Sequence, residues 1–212
     1  MSNYKFLLHP RSTSQANQES FVLNMHEWKR GGTYVEIGAC HPTENSNSNI
    51  LETEFGWKGF GVEIDPARAA TFNSRENPCV IADAMELDYL SVFKELNLPN
   101  QIDYLQVDVE PAEHSLKALE KVLVDGYRFS VITFEHDLYA AASNEDIKNQ
   151  ARGILFSRGY ILVADLVKDF FTYGVEFEDW FIDPLAIKED IWSQFKEDYR
   201  SENNTLFTES YE

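Results

Sequence analysis

Two short apolar runs constrain this chain most: Thr33-Tyr-Val-Glu-Ile-Gly-Ala-Cys40 and Gly59-Phe-Gly-Val-Glu-Ile-Asp65. Each reads as a buried strand, the first ending at a glycine and the second at a carboxylate. A polar turn and a helix-length segment lie between them. This is the opening of a nucleotide-binding β-α-β unit, with Gly38 at the tight strand-to-helix turn and Glu63 at the tip of the second strand. A carboxylate there can accept both hydroxyls of a ribose, so a cofactor carrying adenosine is expected.

The residues after Gly38 narrow the choice. A dinucleotide fingerprint needs two further glycines so that the backbone can approach a pyrophosphate. Here Ala39, Cys40, His41 and Pro42 follow. A bulky turn suits a cofactor without a pyrophosphate, and S-adenosylmethionine is one. Its ribose falls to Glu63 and the following Ile64. Its adenine falls to Asp83 and Ala84, and its methionine end to Glu36, Gly38, Ala39 and Asp108. The Asn45–Asn49 run can contact the methionine carboxylate or cap the next helix, and capping is the simpler reading for Ser46 to Asn49.

The remaining pattern alternates strands with helices, which implies a parallel sheet covered on both faces. Helical spacing of Phe21, Val22, Met25 and Trp28 predicts a helix over 15–29, after an irregular stretch over 1–13. Strands are expected at 34–37, 59–64, 79–82, 102–109 and 129–134. Helices are expected from the polar turn to about 55, then at 66–75, 86–97 and 113–124. Pro66 suits a first helical turn. Ser143 and Asp146 suggest a capping box for the next helix. Strands follow at 160–167 and 171–181, joined by a linker that permits only a hairpin. Asp183-Pro184 is read as the cap of a terminal helix, with a polar tail from Ser201. A seven-stranded, mostly parallel α/β sheet with one antiparallel strand near the C-terminal edge is the Rossmann-like methyltransferase fold. The division expected is a helical extension over 1–32, a methyltransferase domain over 33–182, and a C-terminal helix and tail over 183–212.

Four carboxyl-end signals then align at successive strand tips: Glu36 with Gly38, Glu63 with Asp65, Asp83 with Ala84, and Asp108 with Glu110. A lone one is usually a turn or a helix cap. Four in order are better explained by one ligand. Methyl transfer to a hydroxyl needs positioning and a base. His136 leads as the base because it follows the fifth strand, and a histidine hydrogen-bonded to a neighbour is an equal alternative. His114 is a second candidate, read more simply as a helix surface residue, and His41 is placed either near the sulfonium or in stabilising the turn. Asp108 and Glu110 complete the catalytic set.

The residues also carry a family resemblance. Tyr34-Val-Glu-Ile-Gly-Ala, Asn45-Ser-Asn-Ser-Asn-Ile-Leu-Glu, Gly56-Trp-Lys-Gly-Phe-Gly-Val-Glu and Asp103-Tyr-Leu-Gln-Val-Asp-Val-Glu-Pro-Ala-Glu113 resemble segments of the FkbM family of S-adenosylmethionine-dependent methyltransferases. So do Val131-Ile-Thr-Phe-Glu-His136 and Asp179-Trp180. The resemblance spans roughly 33–182. It implies O-methylation of a hydroxyl on a saccharide or secondary metabolite. Pro111 stands where that family usually has glycine, and Cys40-His41 replace small or polar residues. Some similar sugar O-methyltransferases hold a divalent cation on carboxylates at these strand ends. Here those would be Asp108, Glu110, Glu135 and Asp137, whose hard oxygens suit Mg²⁺. Helix-dipole complementation by Glu110 and Glu113 is the preferred reading of that pair. A non-catalytic binding protein and a nicotinamide oxidoreductase are the alternatives.

Composition excludes several other classes. The net charge of −18 opposes nucleic-acid binding and docking on anionic lipid. No run approaches the ~18 apolar residues of a membrane helix. Two cysteines, Cys40 and Cys79, both in apparent core segments, make no disulfide framework. A cytoplasmic protein is expected, acting on a small-molecule hydroxyl acceptor, with the apolar stripes of the terminal helices available for core packing or a homo-oligomer.

Overall fold

The computed structural model describes residues 5–168 and 174–201. Seven strands form one sheet in the order β3-β2-β1-β4-β5-β7-β6. They are β1 (Thr33–Ile37), β2 (Lys58–Glu63), β3 (Cys79–Ile81), β4 (Gln101–Val107), β5 (Arg128–Glu135), β6 (Ile161–Lys168) and β7 (Glu176–Ile182). The first five run parallel. β7 inserts between β5 and β6 and is antiparallel to both. The fold class therefore agrees with the sequence pattern, down to the single reversed strand. The expected start of β7 at Phe171 lies outside the described residues, as does the tail beyond 201.

Among the described residues seven helices connect and cover the sheet: α1 (Gln18–Met25), α2 (Asn49–Thr53), α3 (Pro66–Ala69), α4 (Tyr89–Glu95), α5 (Ala112–Val122), α6 (Asn144–Ser157) and α7 (Glu189–Ser201). Alternation along the buried strands sends side chains to two separate cores. On one face Phe93 of α4, Leu119 of α5 and Leu155 of α6 pack on Val35, Leu105 and Ile132. On the other, Phe21 of α1 and Phe195 of α7 pack on Trp180 of β7. Phe21 stacks on Trp180 with centroids 4.5 Å apart. Each such buried ring contributes about 2 kcal/mol from lost water contact alone.

Several local signals resolve differently from expectation. Asp65 accepts from Ala67 N at 2.8 Å and Pro66 occupies the first turn of α3, as its sequence suggests, but a 3₁₀ turn over Ala70–Ser74 replaces the second half of that helix. Ser143 makes no side-chain cap on α6, because its own backbone is already helical. Asp183 does not cap α7, which starts at Glu189. It holds the turn before it, accepting from Leu185 N at 3.0 Å and pairing with Arg128 at 2.7 Å. Cys40 is exposed rather than core, and both cysteines are free. No helix of the described residues is long and apolar enough to cross a membrane.

Candidate active site

The carboxyl ends of β1, β2 and β4 converge on Gly38. Its amide and that of Ala39 both donate to Val62 O at 3.0 Å, while Asp108 N donates to Ile37 O at 3.0 Å. Gly38 has φ +81°, and a Cβ on it would stand 1.6 Å from the Asp108 carbonyl oxygen. The glycine is thus what lets β1 and β4 close together. Beside it opens a cleft of about 540 Å³. Glu36, Gly38, Ala39, Glu63, Ile64, Asp83, Ala84, Asp108 and Glu110 all line it. The topology puts the cleft at the switch point between β1 and β4, where open parallel sheets bind ligands.

Three of the lining carboxylates, Glu63, Asp83 and Glu36, are held by local partners. Glu63 accepts from Cys40 N at 3.0 Å with one oxygen and from Asp65 N at 2.8 Å with the other. Asp83 Oδ1 accepts from Met85 N at 2.9 Å. Ile64, an apolar side chain left 64% exposed, and Met85 border the same cleft. Glu36 is buried and devoted to the turn before α2. It accepts from Asn47 N at 2.8 Å, from Ser46 Oγ at 3.3 Å and from Ser48 Oγ. Loss of hydration raises its carboxyl, and Arg75 together with these donors offsets part of that. Ser46 Oγ accepts from Asn49 N at 3.2 Å, so the capping read from this run falls to Ser46, and Ser48 turns to Glu36. His41 Nδ1 accepts from Glu44 N at 2.9 Å and serves the turn, outside the cleft lining.

The acidic side is formed by β4 and β5. Burial pushes the Asp108 carboxyl up to about 7, with Asp137, Glu110 and Glu36 adding repulsion and a hydrogen bond with Glu135 opposing it. Glu135 rises well above the ordinary range for the same reason, with Asp108 and Asp137 beside it. Among the described residues no group of three or more His, Cys, Asp or Glu side chains is arranged to hold a metal. The Mg²⁺ expectation on Asp108, Glu110, Glu135 and Asp137 therefore gains no support.

His136 sits elsewhere. It is wholly buried and absent from the cleft lining. Its Nδ1 accepts from Leu138 N at 3.2 Å, and its Nε2 lies 3.6 Å from Asp179 Oδ1. Asp179 is gripped by Arg152 at 2.7 and 2.9 Å. Burial would raise Asp179, but Arg152 and His136 outweigh it and hold the carboxyl low. His136 thus faces Asp179 of β7 and is not part of the cleft lining. His114, at the start of α5, does line the cleft.

Sequence reasoning missed Gln15, Arg68 and Arg75. Gln15 and Arg68 reach the cleft from outside the strand tips. The Arg75 side chain is sheltered behind the turn before α2, paired with Glu52 and donating to Tyr34 Oη at 3.0 Å and Ser48 Oγ at 3.1 Å. These contacts span 23 to 41 residues of sequence, and no local motif marks them.

No protein-family model and no curated protein matches the sequence. Solved structures do match in shape. An O-methyltransferase from Bacillus cereus in complex with SAH superposes with a TM-score of 0.53 at 13% identity, over 82% of this chain and 84% of the other. A putative rRNA-methylase from Clostridium thermocellum gives 0.51 at 14% identity, over 81% and 98%. TrmK of M. capricolum, in complex with S-adenosyl-homocysteine, gives 0.51 at 9% identity, over 90% and 87%. The fold is that of Rossmann-like methyltransferases. At these identities the likeness concerns the fold alone, and none of it bears on the narrower FkbM family.

Proposed function

We propose that this chain transfers the methyl group of S-adenosylmethionine to a hydroxyl of a small molecule, such as a saccharide or glycosylated metabolite, as the FkbM resemblance implies. One observation carries the reading: Gly38, Glu63, Asp83, Ala84 and Asp108, from four successive strand tips, surround one cleft. The residues fit the cofactor. Glu63 suits the ribose hydroxyls, Ile64 and Met85 the faces of a purine, and Asp83 its amino group. Asn47 Oδ1 is buried, borders the cleft and has no hydrogen-bond partner, so it suits an ammonium donor.

Bound S-adenosylmethionine supplies an electrophilic methyl group. The chain's part is to place a hydroxyl in line with it and take the proton. Asp108 is the base of this reading. It borders the cleft, and a carboxyl near 7 is matched to proton transfer at neutral pH. The net charge of −18 favours a small acceptor over a polyphosphate.

Calorimetry with S-adenosylhomocysteine tests the reading. The wild type is expected to bind, and Glu63→Ala to bind at least about tenfold more weakly, since hydrogen bonds to a charged group are each worth roughly 1.5–3 kcal/mol. Asp108→Asn should lower turnover about 100-fold at saturating S-adenosylmethionine, the usual scale of base catalysis. Absence of binding, or unchanged binding by Glu63→Ala, overturns the assignment.

A further inference from the structure

We infer that Gln15 donates its side-chain amide to the carboxylate of the bound cofactor, and that residues 12–17 form a fixed wall holding it at the methionine end of the cleft. The inference rests on the methyltransferase reading and names the residue by which that site tells its cofactor's amino-acid group from a bare adenosine.

The amino-acid group of S-adenosylmethionine carries a carboxylate as well as an ammonium. Glu36, Glu63, Asp83, Asp108 and Glu110 line the cleft, so a carboxylate entering it must be met by donors. Besides Asn47, the lining side chains with a nitrogen donor are Gln15, Asn45, Arg68 and His114. Arg68 stands on α3, after β2 and toward the ribose end, with Nε 4.0 Å from Asp65 and Nη1 3.5 Å from Cys40 Sγ. His114 opens α5, which covers the other face of the sheet from α1 and α2. Asn45 is exposed. Gln15 is half-buried, borders the cleft from the α1 side, and its amide has no hydrogen-bond partner among the described residues.

The segment that carries Gln15 is tied down around it. Glu19 of α1 is fully buried and accepts from Ser12 Oγ at 2.9 Å, Thr13 N at 2.6 Å, Ser14 N at 3.3 Å and Ser14 Oγ. Thr13 Oγ1 donates to Ser46 O at 3.1 Å, in the turn that also carries Asn47. Ala16 N donates to Gln18 Oε1 at 2.8 Å, and Gln18 Nε2 donates to Glu178 of β7 at 3.0 Å. Residues 12–17 thus run between the 46–48 turn and β7, on the side of the cleft away from β2 and β3. A second observation marks the same end. Asn47 Oδ1, buried, bordering the cleft and unpartnered, suits the cofactor's ammonium. The carboxylate of the same amino-acid group then lies near the 46–48 turn, where Thr13 ties down the segment of Gln15. A donor held on a fixed segment need not be ordered when the ligand arrives, which favours affinity. A neutral amide also meets a carboxylate without drawing on the acidic groups around it.

The test is calorimetry of the full chain with S-adenosylhomocysteine, with its decarboxylated form, which keeps the ammonium, and with methylthioadenosine, which lacks the amino-acid group. Gln15→Met keeps the length of the side chain and removes the donor. It should weaken S-adenosylhomocysteine at least about tenfold, the scale of one hydrogen bond to a charged group, and leave the other two ligands within about twofold. Glu19→Gln, which loosens the wall, should lower the preference for S-adenosylhomocysteine over its decarboxylated form. Should that variant not fold, Gln15→Met decides alone. Glu63→Ala, at the ribose, should instead weaken all three ligands alike. Unchanged binding of S-adenosylhomocysteine by Gln15→Met, or an equal loss for all three ligands, overturns the inference and leaves the methyltransferase reading standing. Failure of the wild type to bind S-adenosylhomocysteine overturns that reading, and the inference with it.

Discussion

At position 38 the backbone has φ +81°, and the next strand's carbonyl oxygen occupies the space where a Cβ would go. Both facts penalise any side chain. Left-handed backbone costs an L-residue about 1 kcal/mol or more, and a contact at 1.6 Å with backbone forces β1 and β4 apart. Gly38→Ala is therefore expected to lower unfolding stability by at least about 2 kcal/mol, read from urea denaturation, and to abolish S-adenosylhomocysteine binding wherever the variant stays folded. A stability change under about 0.5 kcal/mol would show that β4 yields freely and that the close approach is not what shapes the cleft. Gly38, Glu63, Asp83 and Asp108 were legible beforehand because each ends a strand, and strand ends at one edge of a parallel sheet must meet. His136 ends a strand too, and the same logic misplaces it. A strand's last residue can turn toward either face, and here His136 N donates to Phe177 O at 2.8 Å, taking the ring to β7. The pattern of residues conveys which positions reach the edge, and not which way the final side chain turns.

The short helices depend on partners far along the chain. α2 has only five residues, too few to persist by its own hydrogen bonds. Arg75 supplies what propensity does not. Its guanidinium reaches Glu52 of α2, and it also donates to Ser48 Oγ at 3.1 Å and Pro42 O at 3.3 Å. Both members of the Arg75–Glu52 pair are nearly excluded from water, at 3% and 5% exposure. Breaking such a pair from one side leaves a buried charge and costs roughly 3–5 kcal/mol. Arg75→Met should lose stability on that scale. Hydrogen exchange of amides 46–53 should accelerate more than that of β4, because the loss is concentrated at the turn. Uniform acceleration would mean that Arg75 supports the whole domain. This network explains why the elements were easier to foresee than their supports. Alternating apolar runs mark strands, and Pro66 marks a helix start, but Arg75 stands at the expected end of the helix over 66–75, where no local pattern names its distant partners. Ser143 shows the converse: a sound capping signal is idle because the preceding turn is already helical.

For the molecule as a whole, acidity is concentrated as well as abundant. Burial lifts the Glu178 carboxyl from an ordinary 4.5 to about 8, with Asp108 adding repulsion, and lifts Asp108 to about 7. A carboxyl raised by folding binds its proton more tightly in the folded state. Its support for folding is fully present below the unfolded value near 4.5 and is lost as pH rises through 7 to 8. Glu52 and Asp179 act oppositely. Burial works against both, but Arg75 and Arg152 hold their carboxyls low, so their support is present at neutral pH and lost in acid. The two groups together predict a stability maximum near weakly acidic pH. The overall charge of −18 steepens the alkaline side, since each further ionisation meets more repulsion. Tm should therefore fall between pH 6 and pH 9. Glu178→Gln removes the carboxyl lifted to about 8 while keeping an acceptor for Gln18 and Trp180, which now bond the carboxylate at 3.0 and 2.8 Å. That variant should lose less of its Tm over the same interval than the wild type, with little change at pH 6. An identical slope in both proteins would show that Glu178 is already ionised in the folded state, and would move the origin of the alkaline loss to Asp108 and Glu135.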